Sequence, residues 1–176
     1  MRWQKVVIWG IVAAVLAILG VAVARERPQW SSPLVGRPAP DFSLALFDGR
    51  TMRLSDLRGR VVIINFWASW CTACRQEAPV LEWAWKTYRP RGVVLIGVNI
   101  WDRREDALGM MREFGKTYPN GPDSTGRVLQ DYGVIGVPET FIIDQRGQIV
   151  VKHLGPVTRE LLVSQLEPLL GTGIAP

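Results

Sequence analysis

From Val61 to Trp67 the chain reads Val-Val-Ile-Ile-Asn-Phe-Trp, and after Ala68-Ser69-Trp70 it presents Cys71-Thr72-Ala73-Cys74. A nearly continuous apolar, β-branched run of this length suits a strand covered on both faces. Beyond the cysteines, Ala78, Leu81, Trp85 and Tyr88 recur at spacings of three and four, which predicts a helix to about Tyr88 that Pro79 should kink. A buried strand running into such a helix places Cys71 at a helix amino terminus, where unpaired N–H groups and the positive dipole end favour an anion.

The alternation of strand and helix continues along the chain. Val93 to Ile100 is a second strand-like run, and Arg103 to Tyr118 reads as a helix with Ala107, Met110, Met111 and Phe114 inward. Pro119 to Asp123 break the chain, and Gly126 to Tyr132 suits a short helix. Thr140 to Asp144 and Gln148 to Leu154, joined through Gly147, suit a hairpin, and Thr158 to Leu170 closes as an amphipathic helix. Before the central strand, Phe42 to Phe47 and Thr51 to Leu54 flank Asp48-Gly49, a hairpin turn signal. The expected class is α/β: a central mixed sheet flanked by helices, with an amino-terminal β-hairpin extension and a transmembrane anchor.

A chain of 176 residues with 48% hydrophobic and 21% charged residues can bury one core of ordinary size. Val6 to Ala24 is apolar without a charge, and about 19 residues at about 1.5 Å each nearly match a hydrocarbon core. Arg2 and Lys5 precede this run with no acid among them, whereas Glu26 lies between Arg25 and Arg27 after it. The bias favours a cytoplasmic amino terminus and an exported remainder. Ala22-Val23-Ala24 also resembles a signal-peptidase site, so a cleaved signal stays open beside an uncleaved anchor. The boundaries drawn are a cytoplasmic tip and anchor at 1–25, a linker at 26–33, one folded domain at 34–171 and a tail at 172–176. Export puts the domain in an oxidising compartment, where a lone dithiol must be kept reduced if it is to donate electrons.

Two cysteines three positions apart close almost no loop, so a bridge between them adds little stability. Their spacing suits cycling chemistry: Cys71, the thiolate at the helix start, attacks a disulfide, and Cys74, one turn further in and more buried, resolves the mixed disulfide. Two structural core cysteines beside Trp70 are the plainer alternative. A zinc site lacks a second pair of ligands, since His153 is the single histidine and reads as an exposed strand residue. No metal and no cofactor are expected. The net charge of +5 is spread without a stretch of basic and aromatic residues interleaved, which argues against a nucleic-acid partner.

Three segments carry a resemblance: Gly36-Arg37-Pro38-Ala39-Pro40-Asp41-Phe42, Asn65 through Cys74, and Gly133-Val134-Ile135-Gly136-Val137-Pro138-Glu139-Thr140-Phe141-Ile142-Ile143-Asp144. Over roughly Leu34 to Leu170 the chain resembles the thioredoxin superfamily, and within it the anchored CcmG or DsbE type of cytochrome c maturation. The Gly-Val-Pro-Glu-Thr-Phe run is the most discriminating part, while the ResA and TlpA branches share the rest. The resemblance implies a thioredoxin-like fold and a cis Val137–Pro138 bond that faces the cysteines, so that the Val137 backbone pairs with an extended substrate near Trp70. It implies that Glu77 and Glu139 approach the dithiol, oppose thiolate formation and move protons during exchange. An exposed carboxylate is the alternative for each. The implied partners are apocytochrome c or other exported thiol proteins, with a membrane thiol transporter of the CcdA or DsbD kind as reductant. Thr72-Ala73 depart from the family's common pattern, which has a proline between the cysteines, and leave the direction of electron flow open.

Two other classes stand beside this reading. A thiol peroxidase shares the Ala-Pro-Asp-Phe opening but needs proline at Ile64 and threonine at Ala68. A Sco-type copper chaperone resembles Cys-X-X-X-Cys, one residue longer than the spacing here.

Overall fold

The computed structural model describes residues 33–171, together with Trp3 and Trp9. The Val6 to Ala24 run and the 172–176 tail fall outside the described residues, among which no helix is long and apolar enough to cross a membrane. The chain divides into two compact units, Met1–Ser31 and Ser32–Pro176, and the second carries the fold that follows.

The apolar run of the sequence becomes the central strand β3 (Val62–Trp67), buried at every residue. It follows a two-stranded antiparallel hairpin, β1 (Ser43–Ala45) and β2 (Thr51–Arg53). The hairpin turn is held by the Asp48 carboxylate, which accepts from the Arg50 backbone and guanidinium. After β3 come α1 (Thr72–Tyr88), β4 (Val94–Asn99), α2 (Arg104–Glu113), β5 (Asn120–Pro122), α3 (Arg127–Asp131), β6 (Glu139–Ile143), β7 (Ile149–Leu154) and α4 (Arg159–Leu170). The five-stranded sheet has the order β5-β4-β3-β6-β7, with β3, β4 and β5 parallel and β6 and β7 antiparallel to their neighbours. This is the mixed, helix-flanked sheet the sequence predicts.

Successive residues of β3 point to opposite faces, and the two faces build separate cores. Ile63 packs with Leu81, Ala84 and Tyr88 of α1 and with Leu162 and Leu166 of α4. Ile64 and Phe66 pack with Phe42 and Leu44 of the hairpin segment, Tyr132 and Phe141. Each such side chain contributes about 1.5–3 kcal/mol through burial, which is why the strand run is so uniformly apolar. At the carboxyl end of the strand a third cluster joins Trp67 and Ala68 to Cys71, Cys74, Ala78, Ala107 and Met110.

Several local expectations change. The predicted helix from Arg103 to Tyr118 stops at Glu113, because Gly115 takes φ +58° while Lys116 N–H bonds the Met111 carbonyl and Gly115 N–H that of Arg112. That pattern is a Schellman cap, and it turns the chain so that Lys116 enters the interior. Asn120 to Pro122, read as a break, forms the edge strand β5. Its pairing is backbone-driven: Gly97 stands opposite Asn120, and a Cβ on Gly121 would lie 2.4 Å from the Ala45 carbonyl oxygen. Helix α1 runs through Pro79 without interruption, and His153 is half-buried instead of exposed.

Candidate active site

Cys71 is the N-cap of α1 and Cys74 lies in the first turn, as the strand-to-helix arrangement predicts. The two sulfurs are bonded to each other, with Cα atoms 5.2 Å apart. The Cys74 backbone N–H points at Cys71 Sγ at 3.0 Å, so the outer sulfur already receives one of the unpaired amides of the helix start. That amide and the helix dipole favour a thiolate at Cys71 once the bond is broken. Cys71 is 6% exposed and Cys74 1%, which makes Cys71 the sulfur a partner reaches first.

The loop before β6 brings the second part of the site. The Val137–Pro138 bond is cis, and the Val137 carbonyl oxygen stands 3.5 Å from Cys71 Sγ. Trp70, 59% exposed, is fixed by its indole N–H, which donates to the Trp101 carbonyl at 2.9 Å. Thus the cis Val137–Pro138 bond and Trp70 stand beside the Cys71–Cys74 pair.

Glu77 and Glu139 are both buried, so the exposed alternative falls for each; among the described residues neither hydrogen-bonds a sulfur. Glu77, one turn after Cys74, accepts from Asn65 Nδ2 at 2.7 Å and from the Val157 N–H at 2.8 Å. Burial pushes its carboxyl up to about 7, against the pull of those two donors and of the Lys116 charge. Glu77 also borders a surface cleft with Gln76, Val80, Pro156 and Val157. Glu139, opposite Phe66 in the sheet, accepts from the Ile135 N–H at 3.2 Å through Oε1. Among the described residues its Oε2 has no hydrogen bond; it faces Lys152 Nζ at 3.3 Å, an ion-pair contact with poor hydrogen-bond geometry. The cation standing beside Glu139 is Lys152, which also donates to the Gly133 carbonyl.

Sequence reasoning missed Lys116. Its Nζ sits 3.3 Å above the Trp67 ring and 5.2 Å from the Tyr118 ring centroid, and the residue is 7% exposed. Burial pushes its ammonium well below the ordinary range, while the charges of Glu77 and Glu82 hold it up. Glu82 in turn accepts from the Thr117 N–H and hydroxyl and pairs with Lys86. Asn65, the lone polar residue of the central run, was the available signal for this interior network; nothing near Lys116 in sequence marks it as buried.

The comparisons agree with the geometry. A family model described as AhpC/TSA matches residues 35–152. The chain belongs to this thioredoxin-like family. It is 38% identical over 166 residues to the thiol:disulfide interchange protein DsbE of Allochromatium vinosum, covering 92% of this chain and 89% of that protein. It is 34% identical over 160 residues to the thiol-disulfide oxidoreductase ResA of Geobacillus thermodenitrificans, covering 90% of this chain and 92% of that one. Among solved structures, a thiol:disulfide interchange protein DsbE from Chlorobium tepidum superposes with a TM-score of 0.71 at 34% identity, over 76% of this chain and 96% of that chain. With the Cys71–Cys74 pair in place, the chain is a thiol–disulfide oxidoreductase of the DsbE and ResA kind. The residues a peroxidase would need remain absent, since positions 64 and 68 are the buried Ile64 and Ala68.

Proposed function

We propose that the domain is exported on an uncleaved Val6 to Ala24 anchor and reduces the Cys-X-X-Cys-His disulfide of apocytochrome c before haem attachment. The observation that carries the exchange chemistry is Cys71 Sγ, placed between the Cys74 amide at 3.0 Å and the Val137 carbonyl at 3.5 Å. In the reduced protein the Cys71 thiolate attacks one substrate sulfur, forming a mixed disulfide and releasing the other substrate sulfur as a thiolate. Cys74 then attacks Cys71 Sγ, restoring the Cys71–Cys74 bond and releasing the second substrate thiol. Two electrons pass to the substrate, and a membrane thiol transporter of the CcdA or DsbD kind returns them.

An extended substrate lies along the Val137 backbone, where main-chain pairing tolerates varied sequences. Glu77, held near neutrality and bordering the α1 cleft, takes the proton from Cys74 as it becomes the attacking thiolate and passes it to water. Glu139 sets the charge of the Pro138 loop together with Lys152. A general exported disulfide reductase is the second reading, supported by the 34% identity to ResA.

The test uses the full chain in detergent. Cys74→Ser should accumulate a mixed disulfide with an oxidised Cys-X-X-Cys-His peptide through Cys71. Equal rates on unrelated peptide disulfides would favour the general reductase, and trapping through Cys74 in Cys71→Ser would reverse the roles of the sulfurs. A reduction potential near about −270 mV, or moderately higher, fits a reductant; one near about −120 mV fits an oxidant. Membrane fractionation with an amino terminus at Met1 supports the anchor, and a terminus at Arg25 makes it a cleaved signal.

A further inference from the structure

Trp101 has φ +51°, the one positive value among the described non-glycine residues. That region is costly for a bulky L side chain and is retained where surrounding bonds force it. Trp101 gains little burial in return, being 59% exposed, and among the described residues its indole N–H makes no hydrogen bond.

The surrounding bonds are strong. The Asp102 carboxylate accepts from the Ser69 N–H at 2.6 Å, the Ser69 hydroxyl at 2.7 Å, Asn99 Nδ2 at 2.9 Å and the Arg103 N–H at 3.0 Å. Ile100 N–H bonds the Trp67 carbonyl, and the Trp70 indole bonds the Trp101 carbonyl. The segment after β4 and the segment before Cys71 are therefore one clamped unit that carries two exposed indoles. Ile135, 81% exposed, lies two residues before Val137, whose carbonyl touches Cys71 Sγ. Leu154, 46% exposed, stands opposite Glu139 next to Pro138. In residues 33–171 the other exposed large apolar side chains are Val35 and Val163, at 38% and 39%. The most exposed apolar groups of the domain thus gather where a partner must approach Cys71. An open cleft lined by Ile100, Trp101, Arg104, Pro122 and Leu129 adjoins the same indole.

We propose that Trp101 is a specificity-determining residue, which with Trp70 and Ile135 selects polypeptide disulfides flanked by a large apolar or aromatic side chain. The inference rests on Cys71 being the attacking sulfur. A strained backbone with an exposed ring is destabilising unless the ring is used, and an indole buried on binding is among the largest contributors to an interface.

The experiment compares the full chain with Trp101→Gly, Trp101→Asn and Val163→Ser in detergent, all pre-reduced. Glycine and asparagine accept positive φ, so neither replacement need distort the clamp. Substrates are two oxidised Cys-X-X-Cys peptides differing only in Phe or Ser beside the disulfide, and a small symmetrical disulfide. Wild type should prefer the Phe peptide, and Trp101→Gly should raise its KM by about tenfold or more, bringing the preference close to one. The accompanying loss on the small disulfide should be far smaller, thermal stability should not fall, and Val163→Ser should behave as wild type. Retention of the preference in both Trp101 variants overturns the proposal. So does an equal loss on peptides and small disulfide, which would give the ring a structural role, or dissociation of a dimer with the peptide KM unmoved, which would assign the surface to a second copy of the chain. Exchange that survives Cys71→Ser would instead overturn the underlying assignment of the nucleophile.

Discussion

Cys71 and Cys74 are bonded to each other but sit against opposite materials. Around Cys71 the side chains are exposed and apolar, and the polar groups beneath them are saturated: Asp102 alone takes four hydrogen bonds. Beneath Cys74 the neighbourhood is buried and ionisable. Glu77 has two neutral donors, and Lys116 rests on aromatic rings under the charges of Glu77 and Glu82, with no hydrogen bond from its ammonium among the described residues. In the proposed reading the outer side recognises surfaces, so rigidity and apolar area matter there. In the proposed mechanism the inner side moves protons, which asks for a carboxyl poised by desolvation, and burial supplies that at Glu77. One helix amino terminus serves both because its first turn spans the boundary between them.

The largest effect should come from separating the sulfurs. Cys71→Ser should abolish exchange, whereas Cys74→Ser should keep the first attack and stall at the mixed disulfide, read on non-reducing gels. Equal loss of the first attack in both variants would erase the distinction between the two sides.

Next is the proton balance of Glu77. Its folded value of about 7 exceeds the ordinary 4.5, so between these limits the folded state holds more protons than the unfolded state. Stability must therefore fall as pH rises through that window, by up to about 3 kcal/mol. Urea denaturation of the oxidised protein at pH 5 and pH 8, with no thiol to titrate, should show this drop, and Glu77→Gln should remove most of it. A drop that persists in the variant would assign it to other groups. Asp102→Ala tests the outer side: four hydrogen bonds to one carboxylate are lost, at a net cost of about 2–3 kcal/mol in thermal unfolding, and peptide exchange should slow. The Glu77 titration should stay where it is; if it moves, the two sides are coupled. Lys116→Met should have the smallest effect, raising the Glu77 titration by less than about one unit, because the Lys116 charge is the weakest of the forces acting on that carboxyl. Carboxyl NMR reads the shift, and a downward one would contradict the attraction between the two charges.

Much of this was legible in the residues. Val61 to Trp67 was legible as a covered strand from its short, β-branched apolar run, and Thr158 to Leu170 carried its own start signal: Thr158 caps α4 by accepting from the Leu161 N–H. Pro138 and the cysteines were readable from motif and spacing. By contrast β5 was not, since Asn120-Gly121-Pro122 has no strand propensity and pairs because β4 offers an open edge. Gly97 explains how: an added Cβ would meet Asn120 Oδ1 at 1.9 Å and Trp67 Nε1 at 2.8 Å, so the strands approach only over glycine.

The sequence by itself determined the α/β alternation, the hairpin and the closeness of Cys71 to Cys74, because each follows from local period, turn chemistry or a three-residue spacing, while the mixed sheet was expected from the family resemblance. Tertiary structure alone decided that Glu77 is buried against Asn65 and Val157, that Lys152 stands beside Glu139, that Lys116 turns inward and that Trp101 is held at positive φ. These depend on contacts between residues far apart in the chain. The same Glu, Lys or Trp would lie in water if the neighbouring element were absent, and no local pattern distinguishes the two cases.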